Sequence, residues 1–306
     1  MPTGLTINAA DATHASFVLL CAPYDRTASF RKGTSKGPAA IVKSLKYQME
    51  TYDRFTDSMP SPQRTVALCE LKNLNRCEPA EMVSRVRQKY ARLLNTAPFI
   101  ILLGGEHSVS TGAFQAIAGV RDAREITVCQ IDAHLDLRQD DSDYSDTPKG
   151  IYAHSTVMRR AHELGFRCVH IGTRAYSKEE MEYARNHHLT VFEWGKGALP
   201  ARTAIIDAIP TQNVYVTIDV DGIDPAHMPA TGTPVQGGLE WYYTIDLLSA
   251  IFTNRNVFGA DIVEVAPRPY DVVTEYGAAQ LCYTMIALKE ACTAGGCNPP
   301  ASRITT

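Results

Sequence analysis

The chain has 306 residues, 45% of them hydrophobic, and a formal net charge of −3. That length suits one large α/β domain or two small ones, and the apolar share is ample for a buried core. Near-balanced charge gives no support to nucleic acid or an anionic membrane as a partner, and no apolar run approaches the ~20 residues of a membrane span. Residues 1–15 lack a basic start followed by an apolar stretch, so no secretory signal is expected. The eight cysteines show no metal-finger spacing, and Cys292 and Cys297 are too isolated for a zinc motif. Cys129 and Cys168 fall in apolar, strand-like runs and are expected as small core residues. A reducing cytoplasm is the simplest setting.

Apolar, β-branched runs recur along the chain with helical stretches between them. Strands are expected at residues 17–20, 65–68, 99–103, 127–131, 168–171, 190–192, 214–218 and 257–263. Pro38 suits the first turn of a helix whose apolar positions include Ile41, Val42 and Leu45. Met82, Val83, Val86, Tyr90 and Leu93 repeat at helical spacing, as do Leu281, Met285, Ile286 and Leu288. Most of the strand candidates are apolar on both faces, which calls for a parallel sheet covered by helices. There is no internal repeat and no low-complexity linker. These features predict one domain over residues 1–306, alternating β and α, with a mainly parallel sheet of about eight strands.

Three short runs, each following one of these apolar stretches, carry the chemistry. They are Gly104-Gly105-Glu106-His107-Ser108, Asp132-Ala133-His134-Leu135-Asp136 and Asp219-Val220-Asp221. Carboxylates and imidazoles at the carboxyl ends of strands are how an open α/β sheet builds a site. In an extended segment residues i, i+2 and i+4 share a face, so Asp132, His134 and Asp136 can converge on one spot. Asp219 and Asp221 repeat that arrangement. One Asp after a strand is equally a helix N-cap or a turn former. The whole set of His107, Asp132, His134, Asp136, Asp219 and Asp221 is harder to explain so, because buried carboxylates repel one another without cations. Four Asp and two His hold two divalent ions only if some carboxylates bridge. Oxygen ligands mixed with two imidazoles suit Mn²⁺, less often Co²⁺, Ni²⁺ or Zn²⁺. Two metals roughly 3.5–4 Å apart can activate water between them.

At these residues the chain resembles the ureohydrolases, the family of arginase and agmatinase. The three runs are similar to that family's metal signatures, the last one extended as Thr217-Ile218-Asp219-Val220-Asp221-Gly222-Ile223-Asp224-Pro225. Further segments resemble agmatinases: Arg31-Lys32-Gly33-Thr34, Lys36-Gly37-Pro38-Ala39-Ala40-Ile41, Gly232-Thr233-Pro234-Val235-Gln236-Gly237-Gly238-Leu239 and Asp261-Ile262-Val263-Glu264-Val265-Ala266-Pro267. The resemblance spans about residues 15 to 292 and implies the arginase fold, a three-layer α/β/α sandwich. It implies a binuclear-metal amidinohydrolase with two Mn²⁺ (Ni²⁺ or Co²⁺ as alternatives), assembled as a homotrimer or homohexamer. By the same resemblance His107, Asp132, Asp136 and Asp219 hold one ion. Asp132, His134, Asp219 and Asp221 hold the other, so Asp132 and Asp219 bridge. Asp136 also orients the nucleophile, and Glu264 faces the substrate guanidinium as a planar charge-assisted pair. His154, in His154-Ser155-Thr156, is the proton shuttle that the resemblance implies, with Ser155 where Gly is frequent. Glu106 stands where Asp is common and is expected to orient His107. His14, His162, His170, His187, His188 and His227 match no ligand pattern.

The expected partner is a small guanidino compound, most simply agmatine, cleaved to urea and putrescine. Aminopropylagmatine, guanidinobutyrate and guanidine stay open as substrates, and so does a non-catalytic homologue acting as a binding subunit. Residues 137–153 form the loop expected to choose. It carries Asp140, Asp141, Asp143 and Asp146 against Arg138 and Lys149, which would favour a substrate ending in an amine. No arginase-type grip, rich in Asn and Thr after the Asp-x-His-x-Asp run, is present. Pro267-Arg268-Pro269-Tyr270 carries one residue more than the usual agmatinase segment.

Overall fold

A computed structural model describes residues 5–7, 12, 15–59, 64–96, 99–146 and 150–293. His14, Lys149, Cys297 and most of residues 1–15 lie outside the described residues. Each apolar run expected as a strand is one: β1 Phe17–Ala22, β2 Val66–Glu70, β3 Phe99–Gly104, β4 Ile126–Ile131, β5 Arg167–Thr173, β6 Thr190–Glu193, β7 Asn213–Asp219 and β8 Asn256–Val263. They form one sheet in the order β2-β1-β3-β8-β7-β4-β5-β6, and every pairing is parallel. Parallel neighbours need crossover connections, which the alternating helices supply.

The eight helices of more than one turn are α1 Gly37–Tyr47, α2 Pro79–Leu94, α3 Ser110–Ala118, α4 Val157–Glu163, α5 Lys178–Asn186, α6 Arg202–Asp207, α7 Trp241–Asn254 and α8 Val273–Thr293, counted among the described residues. They divide between the two faces of the sheet. Ile41, Ile205, Leu248 and Leu281 place α1, α6, α7 and α8 in one core. Val86, Phe114, Met158 and Met181 place α2, α3, α4 and α5 in the other. Strand β1 shows why both cores exist. Phe17, Leu19 and Cys21 face the first, and Val18, Leu20 and Ala22 face the second. The result is the three-layer α/β/α sandwich. Edge strands β2 and β6 are less buried, because each has a neighbour on one side alone.

Among the described residues no helix is long and apolar enough to cross a membrane. Cys129 and Cys168 are buried free thiols, as expected. Cys292, near the end of α8, is disulfide-bonded, a link that a reducing setting does not anticipate.

The strand order brings the chemistry together. β3, β8, β7 and β4 are consecutive at the centre of the sheet. Their carboxyl ends therefore lie side by side, at spacings of about 4.8 Å. Gly105 sits in the tightest of the turns that leave them. Its N–H donates to Ala22 O (3.0 Å), and an added Cβ would stand 1.9 Å from Tyr24 O. That neighbour is backbone and cannot give way. Gly105→Ala is expected to cost about 3 kcal/mol or more, or to prevent accumulation of folded protein. A denaturant midpoint equal to the parent's would show that the contact is not tight.

Candidate metal centre

Each expected ligand leaves one of those four strands. His107 opens a short 3-10 turn, His107–Val109, just beyond β3. Asp132 follows β4 directly, and Asp219 is the last residue of β7. Asp221 sits in the 3-10 turn Val220–Gly222, where the Asp219 carboxylate accepts its N–H at 2.9 Å. Glu264 follows β8. The run Asp132 to Asp136 is not a plain extended segment. It bends at Ala133, bridges to Ala175 at His134, and turns left-handed at Asp136, where φ is 52°. Thus i, i+2, i+4 alternation does not by itself bring Asp136 inward. Glu264 is also left-handed, with φ 65°. Such conformations cost about 1–3 kcal/mol each and persist where surrounding structure enforces them.

The six side chains converge. His107 Nδ1 lies 3.2 Å from Asp132, 3.0 Å from Asp136 and 3.6 Å from Asp219. His134 Nδ1 lies 3.1 Å from Asp221 and 3.5 Å from Asp132. Two groups of donor atoms each gather within 4.8 Å: His107, Asp132 and Asp219, and then Asp132, His134 and Asp221. Asp132 belongs to both. Asp219 belongs to the first alone.

The donor set fits cations. His107 Nδ1 is buried without a hydrogen-bond partner among the described residues, although carboxylate oxygens surround it. Its other nitrogen is 2.8 Å from Thr217 Oγ1, whose hydroxyl donates to Asp261. That chain makes Nε2 the protonated nitrogen and turns the Nδ1 lone pair toward the carboxylates. Electrostatics agree. Burial, then Asp221 and Asp132, drives the Asp219 carboxyl well above its ordinary range. Burial and Asp132 raise Asp136 to about 7. Burial opposes ionisation of Asp132 as well, but its contacts with His107 and His134 outweigh that and lower it. Burial disfavours the charged imidazoles too, yet the carboxylates raise both His107 and His134 well above 6.5. Crowded acids that gather protons are acids that divalent ions would neutralise.

A cavity of about 390 Å³ opens onto this cluster, walled by His134, Asp136, Asp219, His154, Arg138 and Tyr144 among others. A larger groove of about 700 Å³, lined by Arg124, His162, Arg167 and His187, holds none of the expected site residues. It lies where β4, β5, β6 and β7 begin, the end of a parallel sheet at which ligands do not usually bind. Glu264 is not in the smaller cavity's wall. Its Oε1 accepts the His107 N–H at 2.8 Å and stands 3.9 Å from His154 Nδ1. Burial, then Glu106, raises Glu264 well above its ordinary range. His154 Nε2 has no hydrogen-bond partner among the described residues, and burial pushes its imidazole down to about 3.

Two expectations need correction. Glu106 does not orient His107. Its carboxylate accepts from Thr27 N–H (2.8 Å), Thr27 Oγ1 and Ser108 Oγ (2.6 Å), and Thr27 Oγ1 in turn accepts the His154 N–H at 2.9 Å. Glu106 therefore braces the backbone of His154. The acidic loop does not present an acidic wall either. Asp141 is buried and accepts the Gly150 N–H at 2.8 Å, Asp140 caps Ser142, and Asp143 pairs with Arg138. None of Asp140, Asp141, Asp143 and Asp146 lines the cavity; the loop contributes Arg138 and Tyr144 instead.

Several supporting residues escaped sequence reasoning. Gln130 donates to Asp132 Oδ2 at 2.7 Å and accepts from the buried His170. A Gln inside an otherwise apolar strand, two residues before a proposed ligand, was the available signal. Thr217 and Asp261 lay within segments already matched, with no sign in one dimension that they pair behind His107.

A family model described as the arginase family matches residues 15–287. The chain is 35% identical over 281 residues to the N(1)-aminopropylagmatine ureohydrolase of Synechocystis, covering 89% of this chain and 88% of that protein. It is 32% identical over 263 residues to the agmatinase of Bacillus anthracis, covering 83% and 87%. The structure of agmatine ureohydrolase from Thermoplasma volcanium superposes with a TM-score of 0.80 at 26% identity, over 96% of each chain. Fold and donor cluster together are those of a metal-dependent amidinohydrolase. The chain belongs to the arginase family.

Proposed function

We propose that this chain hydrolyses the guanidino group of a small amine-ended guanidine, agmatine first, to urea and an amine. The carrying observation is the pair of donor groups that share Asp132 beneath a cavity walled by His154. His107, Asp132, Asp136 and Asp219 would hold one ion, and Asp132, His134, Asp219 and Asp221 the other. The mixed oxygen and imidazole set favours Mn²⁺, with Ni²⁺ or Co²⁺ as alternatives. When bound, such ions lower the pKa of a coordinated water toward 7. Asp136 would orient the attacking water by accepting its hydrogen bond. Glu264 Oε1 accepts the His107 N–H, and Oε2 would pair with the guanidinium. One water adds to the guanidinium carbon, one C–N bond breaks, and His154 would carry a proton to the departing amine. Burial favours the neutral imidazole of His154, so a proton taken up there would be held weakly and passed on readily.

The substrate assignment rests on the amine-ended compounds named for the relatives and on the missing amino-acid grip. Loop charge does not support it, because none of the loop aspartates lines the cavity. Release of urea from agmatine should exceed that from arginine or guanidine by at least about tenfold in kcat/KM, or roughly 1.4 kcal/mol. The reverse order overturns the substrate and spares the chemistry. No urea from any guanidine by metal-loaded protein would favour a binding subunit. Arg138 in the cavity wall favours a second reading, a guanidino acid such as guanidinobutyrate. If that compound is preferred, Arg138→Gln should raise its KM about tenfold and leave agmatine unaffected. The resemblance also supports a homotrimer or homohexamer, which light scattering reads directly as a mass in multiples of three.

A further inference from the structure

Arg174 stands beside the site, and among the described residues its side chain hydrogen-bonds to no proposed ligand side chain. Arg174 follows β5 and is half-buried. Its guanidinium donates to five carbonyl oxygens. Nη2 reaches Asp221 O and Val235 O, each at 2.6 Å. Nη1 reaches Gly172 O at 2.9 Å and Gly222 O at 3.2 Å, and Nε reaches Gln236 O at 3.0 Å. The backbone N–H of Arg174 donates to Ala133 O at 2.8 Å, in the middle of the Asp132-Ala133-His134 run. The same residue thus ties together three separate segments. They are the turn that carries Asp221, the run that carries Asp132 and His134, and the loop that carries Thr233.

Those segments meet again at the ligands. Asp221 accepts the Ala133 N–H on Oδ1 (3.1 Å) and the Thr233 hydroxyl on Oδ2 (3.2 Å). The packing leaves no slack: a Cβ on Gly222 would stand 2.5 Å from Asp132 N, and one on Gly238 would stand 2.8 Å from Arg174 Nη2. A planar fork with five donors suits five converging carbonyls, and a lysine ammonium offers three at most. By contrast, His107 is held by Glu264 and Thr217, and no acceptor of Arg174 lies among them.

We propose that Arg174 is a positioning residue that, through the turn carrying Asp221, sets the affinity of the ion site of His134 and Asp221. The His107 side, which shares only Asp132 with it, is left largely untouched, because Arg174 meets the Asp132 run through its backbone alone. This rests on the two-ion reading above. Manganese titration of wild type, Arg174→Lys and Arg174→Ala, followed by calorimetry and by electron paramagnetic resonance, tests it. Wild type should bind two ions and give a spin-coupled pair. Arg174→Ala should keep one ion at near-parental affinity and bind the second about 10–100-fold more weakly, with a mononuclear signal at limiting metal. Arg174→Lys should fall between. Equal weakening of both ions, or of neither, overturns the proposal. If the alanine variant does not fold, the lysine variant is read by the same criteria. Wild type that binds fewer than two ions sinks the two-ion reading and this inference together.

Discussion

Asp132→Ala should fold and lose both ions, and turnover should fall by roughly 10⁴-fold or more. Asp132 is the one residue common to both donor groups, with His107 and His134 on either side at 3.2 and 3.5 Å. Removing it takes an anionic ligand from each site at once. Without metal activation the nucleophile is ordinary water with a pKa of about 15.7, where a bound one ionises near 7. Each 1.36 kcal/mol lost in that activation is tenfold in rate. Metal analysis after dialysis is the check, and full occupancy of two ions in the variant would refute the shared role. Asp219→Ala is the informative companion. The family resemblance gives it a second bridge, yet it gathers with the His107 group alone. Loss of both ions supports the bridge, and retention of one leaves Asp132 as the sole shared ligand.

His154→Ala should keep both ions and lose about 10²–10⁴-fold in kcat, the usual contribution of a positioned general acid–base group. The imidazole walls the cavity, its Nε2 is without a partner among the described residues, and Nδ1 stands 3.9 Å from Glu264. It touches none of the six proposed ligands through a hydrogen bond, so metal content should not move. Thr27→Val should reproduce part of the loss, because Thr27 Oγ1 receives the His154 N–H and rests on Glu106. Steady-state turnover measured across pH, with metal content determined on the same samples, separates the two effects. Near-normal turnover of His154→Ala at every pH excludes the shuttle. Loss of metal from the variant would make His154 a structural support.

What could be read in one dimension was what depends on near neighbours in the chain. The strands were legible because their runs are apolar on both faces, and their observed ends differ from expectation by only a residue or two. Helices α1, α2 and α8 were legible from an apolar stripe or a first-turn proline. Helices α3 to α7 were not singled out; α3, buried at seven of its nine residues, leaves little polar face to mark its period. The donors His107, Asp132, His134, Asp219 and Asp221 stood out because each lies within a few residues of a strand end.

Tertiary structure decided the rest. Strand order is set by crossovers between distant segments, and it puts β8 between β3 and β7, so that Glu264 reaches His107. The direction of a side chain in an irregular loop is set by what it packs against. Asp141 therefore turns inward to Gly150, and Arg138 rather than an aspartate meets the cavity. Arg174 could not be recognised from its neighbours, since the carbonyls it gathers come from five positions between residues 172 and 236. Composition and local spacing determined that this chain builds a parallel sheet with carboxylates and imidazoles at its carboxyl edge. Which of them share an oxygen environment was decided by contacts between segments far apart in sequence, because backbone hydrogen bonding and close packing, not proximity along the chain, fix those distances.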